Sequence, residues 1–373
     1  MKNNRSKLIL AFVLIDAVLF VVCLLSFAYF HHVRDLWGSV SDDGIIAARP
    51  TPDTHHSAGT TAPGKETSSA APPDTDEVTA PQDPDTYPDV TDSPDTTGAP
   101  DTTPPEPPHK FEELFAPEGE IEITGNSYRS HDICVTVTEI TEPISDYVAR
   151  YFIYDVYIRY TENLFSVYDD TRHPFTDFVE AGGYPVAAIS GDFWGHNADI
   201  AVRNGVTLRQ KKVADDDFCV LRYDGTLETH YASEYSSFEI TDDIYQIWNF
   251  GPALLDGEGH ARTDFGSKND IKHRNPRASI GYYEPGHYCF IVVDGRLDFT
   301  YEGETSYFRG MRLYDLAKLY EELGCRAAFN LDGGDSAFAY FNGEIIRQDN
   351  DRSQPGGDEP RNIYDIICIG ELG

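Results

Sequence analysis

Residues 311–344 read MRLYDLAKLYEELGCRAAFNLDGGDSAFAYFNGE, and the order of patterns in this stretch decides the fold. Leu313, Leu316, Ala317, Tyr320 and Leu323 recur at three- and four-residue spacing, the apolar stripe of an amphipathic helix, and Gly324 stops it. The spacing predicts a helix over 311–323. The period then changes. Residues 327–331 form a short apolar run, 332–336 a polar turn with two glycines, 337–341 a second apolar run, and Asn342-Gly343 a hairpin signal.

Working outward, β-rich runs recur at 133–138, 151–160, 186–189, 218–223, 288–293 and 363–369. Asp224-Gly225 and Asp294-Gly295 bound two of them as further hairpin signals. A second, short helix is expected at 174–180. No internal repeat is evident. The expected class is α+β, a mostly antiparallel sheet with few helices, preceded by one transmembrane helix and a disordered linker.

That helix is residues 8–30, almost unbroken in apolar character and interrupted only by Asp16 and Ser26. At 1.5 Å per residue it spans roughly 34 Å, enough to cross a bilayer. Lys2, Arg5 and Lys7 precede it, so the positive-inside bias leaves residues 1–7 as a cytoplasmic tail and exports the rest. An apolar stretch this long, ending at Tyr29-Phe30-His31-His32 with no small-x-small site, reads as an uncleaved anchor rather than a cleaved signal peptide. Residues 31–110 hold 14 of the 23 prolines, with one tyrosine and no Phe beyond the anchor's edge, and read as a disordered acidic stalk or spacer.

Residues 111–373 carry nearly all the aromatic side chains and are expected to fold as one domain, its core at about 186–370 with an N-terminal strand-rich extension. Of the formal charge of −34, about −25 falls on this part. Such a field argues against nucleic acid or an anionic membrane face as partner, so any phosphate site must be a local arginine cluster. The five cysteines beyond the anchor, Cys134, Cys219, Cys289, Cys325 and Cys368, show no zinc-ligand spacing and are expected to be buried thiols.

Four patches carry chemistry: 189–195 (ISGDFWG), 274–279 (RNPRAS), 329–336 (FNLDGGDS) and 359–362 (EPRN). Each sets carboxylate or guanidinium beside Gly or Pro at an element boundary, where backbone can approach a ligand closely. Arg277 and Arg361 are a candidate pair of phosphate-gripping forks, and Asp192 and Asp332 candidate carboxylates for acid/base or charge-stabilising work. The competing structural reading is a tight turn for DGGDS and surface ion pairs for the arginines.

In chain order these patches resemble the phosphodiester glycosidase family. The resemblance also includes VRNGV (202–206), FGPALLDG (250–257), VVDGR (292–296) and the 310–325 helix, and runs from about Val186 to Cys368. Ser190 stands where the family usually has Asn, LDGGDS replaces LDGGGS, and PRAS replaces PRTA. The resemblance implies catalytic roles for Asp332, Asp192, Arg277 and Arg361. It also implies substrate contacts from Ser190, Gly191, Asn204, Ser279, Asn330, Gly333, Gly334 and Ser336. The implied reaction is hydrolysis of the bond joining a sugar to a phosphodiester, without an obligatory cofactor. Asp335 beside Asp332 is a secondary candidate for Ca²⁺ or Mg²⁺. Two further readings remain: a non-catalytic glycopolymer-binding or exopolysaccharide assembly protein using the same pocket, and a metal-dependent phosphodiesterase cutting P–O.

Overall fold

The computed structural model describes residues 44–47, 110–193, 198–211, 214–347 and 360–372; the expected membrane anchor and most of the expected linker lie outside them. Among the described residues no helix is long and apolar enough to cross a membrane. Among the described residues all strand pairs are antiparallel and fall into three larger sheets and one hairpin. The seven-stranded sheet runs Glu122–Ile123, Ser127–Arg129, Ile133–Ile144, Tyr147–Ile158, His287–Val293, Arg277–Glu284 and Ala327–Asn330. A five-stranded sheet, here the C-terminal sheet, runs Glu344–Arg347, Ala339–Phe341, Ala187–Ser190, Ile363–Ile369 and Leu164–His173. The third runs Leu227–His230, Phe218–Arg222, Ile244–Asn249, Ile200–Arg203 and Val206–Gln210, and Leu297–Tyr301 pairs with Glu304–Phe308 as the separate hairpin.

Period-two alternation explains why several strands read as unbroken apolar runs. Tyr288, Phe290 and Val292 enter a core shared by all three larger sheets, while Cys289, Ile291 and Val293 face the opposite side with Leu313, Leu316, Ala317 and Tyr320. Likewise Ile367 and Ile369 enter the shared core, whereas Ile366 and Cys368 pack with Phe175, Phe178 and Val179. Strands buried on both faces have no polar side. The helices behind those faces are Leu313–Glu322 and Phe175–Ala181. The first begins later than its pattern suggests, because Met311 is paired to Asn275 through two backbone hydrogen bonds. The five cysteines among the described residues are buried.

Three expectations change. Tyr147–Ile158 pairs with His287–Val293 over seven registered positions, so the expected N-terminal extension is integral to the largest sheet. Asp294-Gly295 is not a hairpin turn: Val293 pairs with Arg277 and Tyr151, and Leu297 with Phe308. Gly295 is needed for close approach, since a Cβ there would lie 2.6 Å from the Gly310 nitrogen.

The linker reading also gives way at Gly44–Ala47. Ile46 donates to and accepts from Tyr168 at 2.8 and 3.1 Å, extending the edge of the C-terminal sheet, and Ile45 is buried against Phe165, Phe178 and Val179. One buried Ile contributes about 2 kcal/mol. Ile45→Asp is therefore expected to lower the unfolding free energy by at least that amount in urea titration; an unchanged midpoint would mean that the segment is not docked.

Candidate active site

Antiparallel pairing brings the end of Ala187–Ser190, the start of Ile363–Ile369 and the end of Leu164–His173 to one edge of the C-terminal sheet, with Ser190 opposite Ile366 and Ile363 opposite His173. Across from them Ala327–Asn330 runs out of the seven-stranded sheet, and the Asp332 N–H donates to the Gly191 carbonyl at 2.9 Å. Two patches 140 residues apart in the chain, ISGD and NLDGGDS, are thereby tied by backbone.

Asp332 is the chemically distinct group at this junction. Burial pushes its carboxyl from 3.8 up to about 6, and the Asp192 charge acts in the same direction. The Ser336 hydroxyl and the Arg361 and Arg172 guanidinium groups pull the other way. The Arg361 Nε is buried with no hydrogen-bond partner among the described residues. Arg172 lies over Phe193 and Tyr364 at 4.9 and 5.0 Å from the ring centres, and these rings meet edge to face. A carboxylate in the field of two guanidinium groups suits a centre where a phosphate leaves and positive charge develops on carbon.

Asp192 is fully buried beneath this centre, and its oxygens are engaged. Oδ1 accepts from Arg203 Nη2 at 2.6 Å and Oδ2 from the Asn249 N–H at 2.6 Å. The same Arg203 Nη2 donates to Asp365 Oδ2 at 3.2 Å, and Arg203 Nη1 donates to the Val202 and Ile247 carbonyls. Asp365 in turn accepts from the Asp192 and Phe193 N–H groups, each at 3.2 Å. Burial and the nearby Asp192 charge push Asp365 up to about 8, so its carboxyl is protonated at neutral pH beside the Arg203 guanidinium. Gly191 is confined by this cluster, since a Cβ there would overlap the Asp365 carboxylate.

The remaining expected residues divide sharply. The Arg277 guanidinium is buried and donates to the carbonyls of Met311 at 3.1 Å, Ile271 at 2.7 Å and His273 at 2.6 Å. Burial pulls it down to about 9, still charged at neutral pH. These bonds hold the 266–275 segment and do not form the phosphate fork read from the sequence. Asn204, at φ 50°, accepts from Ser166 N–H and Gln246 Nε2 and donates to the Ser166 carbonyl. Its amide clamps two neighbouring strands. Ser279 donates to Ile291 O or meets the Tyr320 hydroxyl inside the core. Ser190 is buried and its Oγ accepts from Phe338 N–H at 3.2 Å. Asn330 Nδ2 donates to the Gly251 and Leu331 carbonyls, while its buried Oδ1 has no partner among the described residues.

Gly333 and Gly334 sit at the junction for different reasons. A Cβ on Gly333 would come 2.6 Å from the Pro276 carbonyl, and Gly334 takes φ 63° beside the Arg296 guanidinium. Asp335, the secondary metal candidate, is instead ion-paired with Arg296. Among the described residues no group of three His, Cys, Asp or Glu side chains converges as a metal site.

Four important residues were not singled out from the sequence: Arg172, Arg203, Asp365 and Arg296. Asp365 carried a signal, a lone acid inside the apolar run IYDIICI, and Arg203 and Arg296 lay inside motifs without being assigned a role. Arg172 carried none, because its strand, Leu164–His173, shows no clear period until it is paired with Ile363–Ile369.

The family described as phosphodiester glycosidase matches residues 183–370, half of the chain. An uncharacterized SPbeta prophage-derived protein, YomE of Bacillus subtilis (strain 168), is 26% identical over 178 residues, covering 44% of this chain and 26% of that one. The Bos taurus N-acetylglucosamine-1-phosphodiester alpha-N-acetylglucosaminidase is 26% identical over 164 residues, 40% of this chain and 29% of that one. This chain thus spans less than a third of either relative's length. The zebrafish N-acetylglucosamine-1-phosphodiester alpha-N-acetylglucosaminidase catalytic domain, solved auto-inhibited by its pro-peptide, superposes with a TM-score of 0.51 at 18% identity, over 71% of this chain and 94% of that one, a likeness of fold. With the match over 183–370 enclosing both Asp192 and the DGGDS turn, the chain belongs to the phosphodiester glycosidase family.

Proposed function

We propose that this protein is a membrane-anchored, extracytoplasmic hydrolase that cleaves the glycosidic C1–O bond of a sugar-1-phosphate diester in a surface or cell-wall glycan. The observation that carries the reading is Asp332: a half-buried residue on the family's own turn whose carboxyl is raised to about 6, in the fields of Arg361 and Arg172. Water adds to C1, the C1–O bond breaks with its electrons going to oxygen, and a phosphate monoester departs. Phosphate is a good leaving group, so catalysis rests on holding it and on stabilising charge at the anomeric carbon. Arg361 and Arg172 suit the first task and ionised Asp332 the second. Asp192, Arg203 and Asp365 act from behind by fixing the 191–193 backbone. The anchor at 8–30 and the acidic stalk motivate the location: a domain tethered outside the membrane meets fixed or secreted glycans.

The test is hydrolysis of a panel of sugar-1-phosphate diesters in oxygen-18 water, with and without chelator. The expected result is label in the free sugar, unaffected by chelator. Label in phosphate would replace this reading with a phosphodiesterase. Ser190 favours one other outcome, since its hydroxyl occupies a position where the family commonly has an amide and is engaged with Phe338. Tight binding of a glycan phosphodiester without turnover, with turnover gained in Ser190→Asn, would select a glycopolymer-binding or assembly role.

A further inference from the structure

Resting on that reading, we infer that the aglycone carries a second phosphate, held by a cluster of arginines bordering the DGGDS turn. Arg274, Arg296, Arg309 and Tyr307 line an open cavity of about 330 Å³. Topology explains the cluster. Arg296 directly precedes Leu297, whose ladder partner is Phe308, so Arg296 and Arg309 flank the base of the Leu297–Tyr301/Glu304–Phe308 hairpin. Arg274 is brought to the same place by the Asn275–Met311 backbone pairing beside Gly310.

The charge balance is the argument for an anion. Arg296 is paired with Asp335 and also donates to Asn275 Oδ1 at 3.2 Å, so it is partly compensated. Among the described residues, neither Arg274 nor Arg309 makes a salt bridge, although the whole chain bears a net −34. Arg274 is stacked over Tyr147 at 5.0 Å, which holds its guanidinium without neutralising it. Three guanidinium groups against the Asp335 carboxylate leave the cluster net positive, since the nearby Asp146 is bridged by Arg312, and planar forks of this kind match phosphate oxygens.

This cavity is distinct from the pair beside Asp332 yet mechanically joined to it. The 332–336 turn links them: Gly333 packs on the Pro276 carbonyl next to Arg274, and Gly334 on the Arg296 guanidinium. Arg361 and Arg172 remain for the scissile phosphate, so the cavity suits a neighbouring one. Either a pyrophosphate linkage or a phosphate one polyol unit further along an anionic polymer supplies that chemistry.

The experiment uses the full chain, detergent-solubilised, with Arg309→Gln and Arg274→Gln/Arg309→Gln variants. Arg309 is exposed, so its replacement leaves the core intact, which thermal denaturation verifies. Inorganic pyrophosphate is titrated calorimetrically into each protein. Binding weakened at least about tenfold in the double variant, the size of one lost charge-assisted hydrogen bond, supports the site. Absence of binding, or equal binding in all three, overturns it regardless of activity. In kinetics, KM for a sugar-1-phosphate diester with a second phosphate on its aglycone should rise about tenfold more than KM for the methyl diester. Equal losses on both would make the cavity the scissile-phosphate site and reject the inference while leaving the hydrolase reading intact. A UDP-sugar and a glycerol-spaced diester separate the two sources. Failure of wild type on every diester would sink the hydrolase reading instead, with the pyrophosphate titration still deciding the cavity.

Discussion

Asp332→Asn is expected to lower kcat for a sugar-1-phosphate diester at least about a hundredfold, the usual loss when a charge-stabilising or acid/base group is removed. The fold should survive. The Asp332 backbone N–H bond to Gly191 is retained by Asn, and the side chain lies in the fields of two arginines. The pH profile adds a second readout. Burial raises the carboxyl to about 6, so if ionised Asp332 does the work, wild-type activity climbs through a limb centred near pH 6. That limb should be absent from the residual activity of the variant. A limb falling above pH 6 would make Asp332 a proton donor instead. Turnover within tenfold of wild type in a folded variant would remove Asp332 from the mechanism.

The second large effect is on stability. Arg203→Met should cost about 3–5 kcal/mol, because it leaves Asp192 and Asp365 facing each other in the core without their shared cation. Met conserves much of the side-chain volume, so the loss reports charge more than cavity. The comparison is Asp365→Asn. Asp365 is raised from 3.8 to about 8 in the folded protein, so the native state holds a proton that the unfolded chain releases above about pH 4. Its contribution is complete below the unfolded value, declines as pH rises, and is gone above about pH 8. Asp365→Asn imitates the protonated form and should flatten that part of the stability curve, its one amide oxygen still accepting from the 192–193 backbone. Urea midpoints between pH 5 and 9 measure both variants. An Arg203→Met midpoint within about 1 kcal/mol of wild type would show that the buried pair carries no such load.

Arg203 also shows why the candidate site was only partly legible. Arg203 lies in VRNGV without an assigned role, whereas the family resemblance implies a substrate contact for its neighbour Asn204. In the fold the Asn204 amide is fully engaged by Ser166 and Gln246, while the Arg203 side chain points inward to two acids supplied from 11 residues earlier and 162 later. Spacing along a chain says which types are present, but not which direction a side chain takes from a strand. Arg277 illustrates the same ambiguity: the motif promised a fork, and three backbone carbonyls of the 266–275 and 311 segments claimed it.

Local pattern alone determined the antiparallel α+β class, the helix behind the largest sheet, the hairpins at Asp224-Gly225 and Asn342-Gly343, and the turn that bears Asp332. All of these are written in periods of 3.6 and 2 and in glycine's backbone freedom, which act over a few neighbouring residues. Tertiary structure alone decided that Tyr147–Ile158 belongs to the main sheet, that Ile46 pairs with the edge at Tyr168, and that Arg172 and Arg361 act on Asp332. Only the fold could also turn Arg274, Arg296 and Arg309 toward one cavity. Those outcomes depend on strand pairing between segments far apart in the chain, where burial and charge compensation are summed over several elements at once.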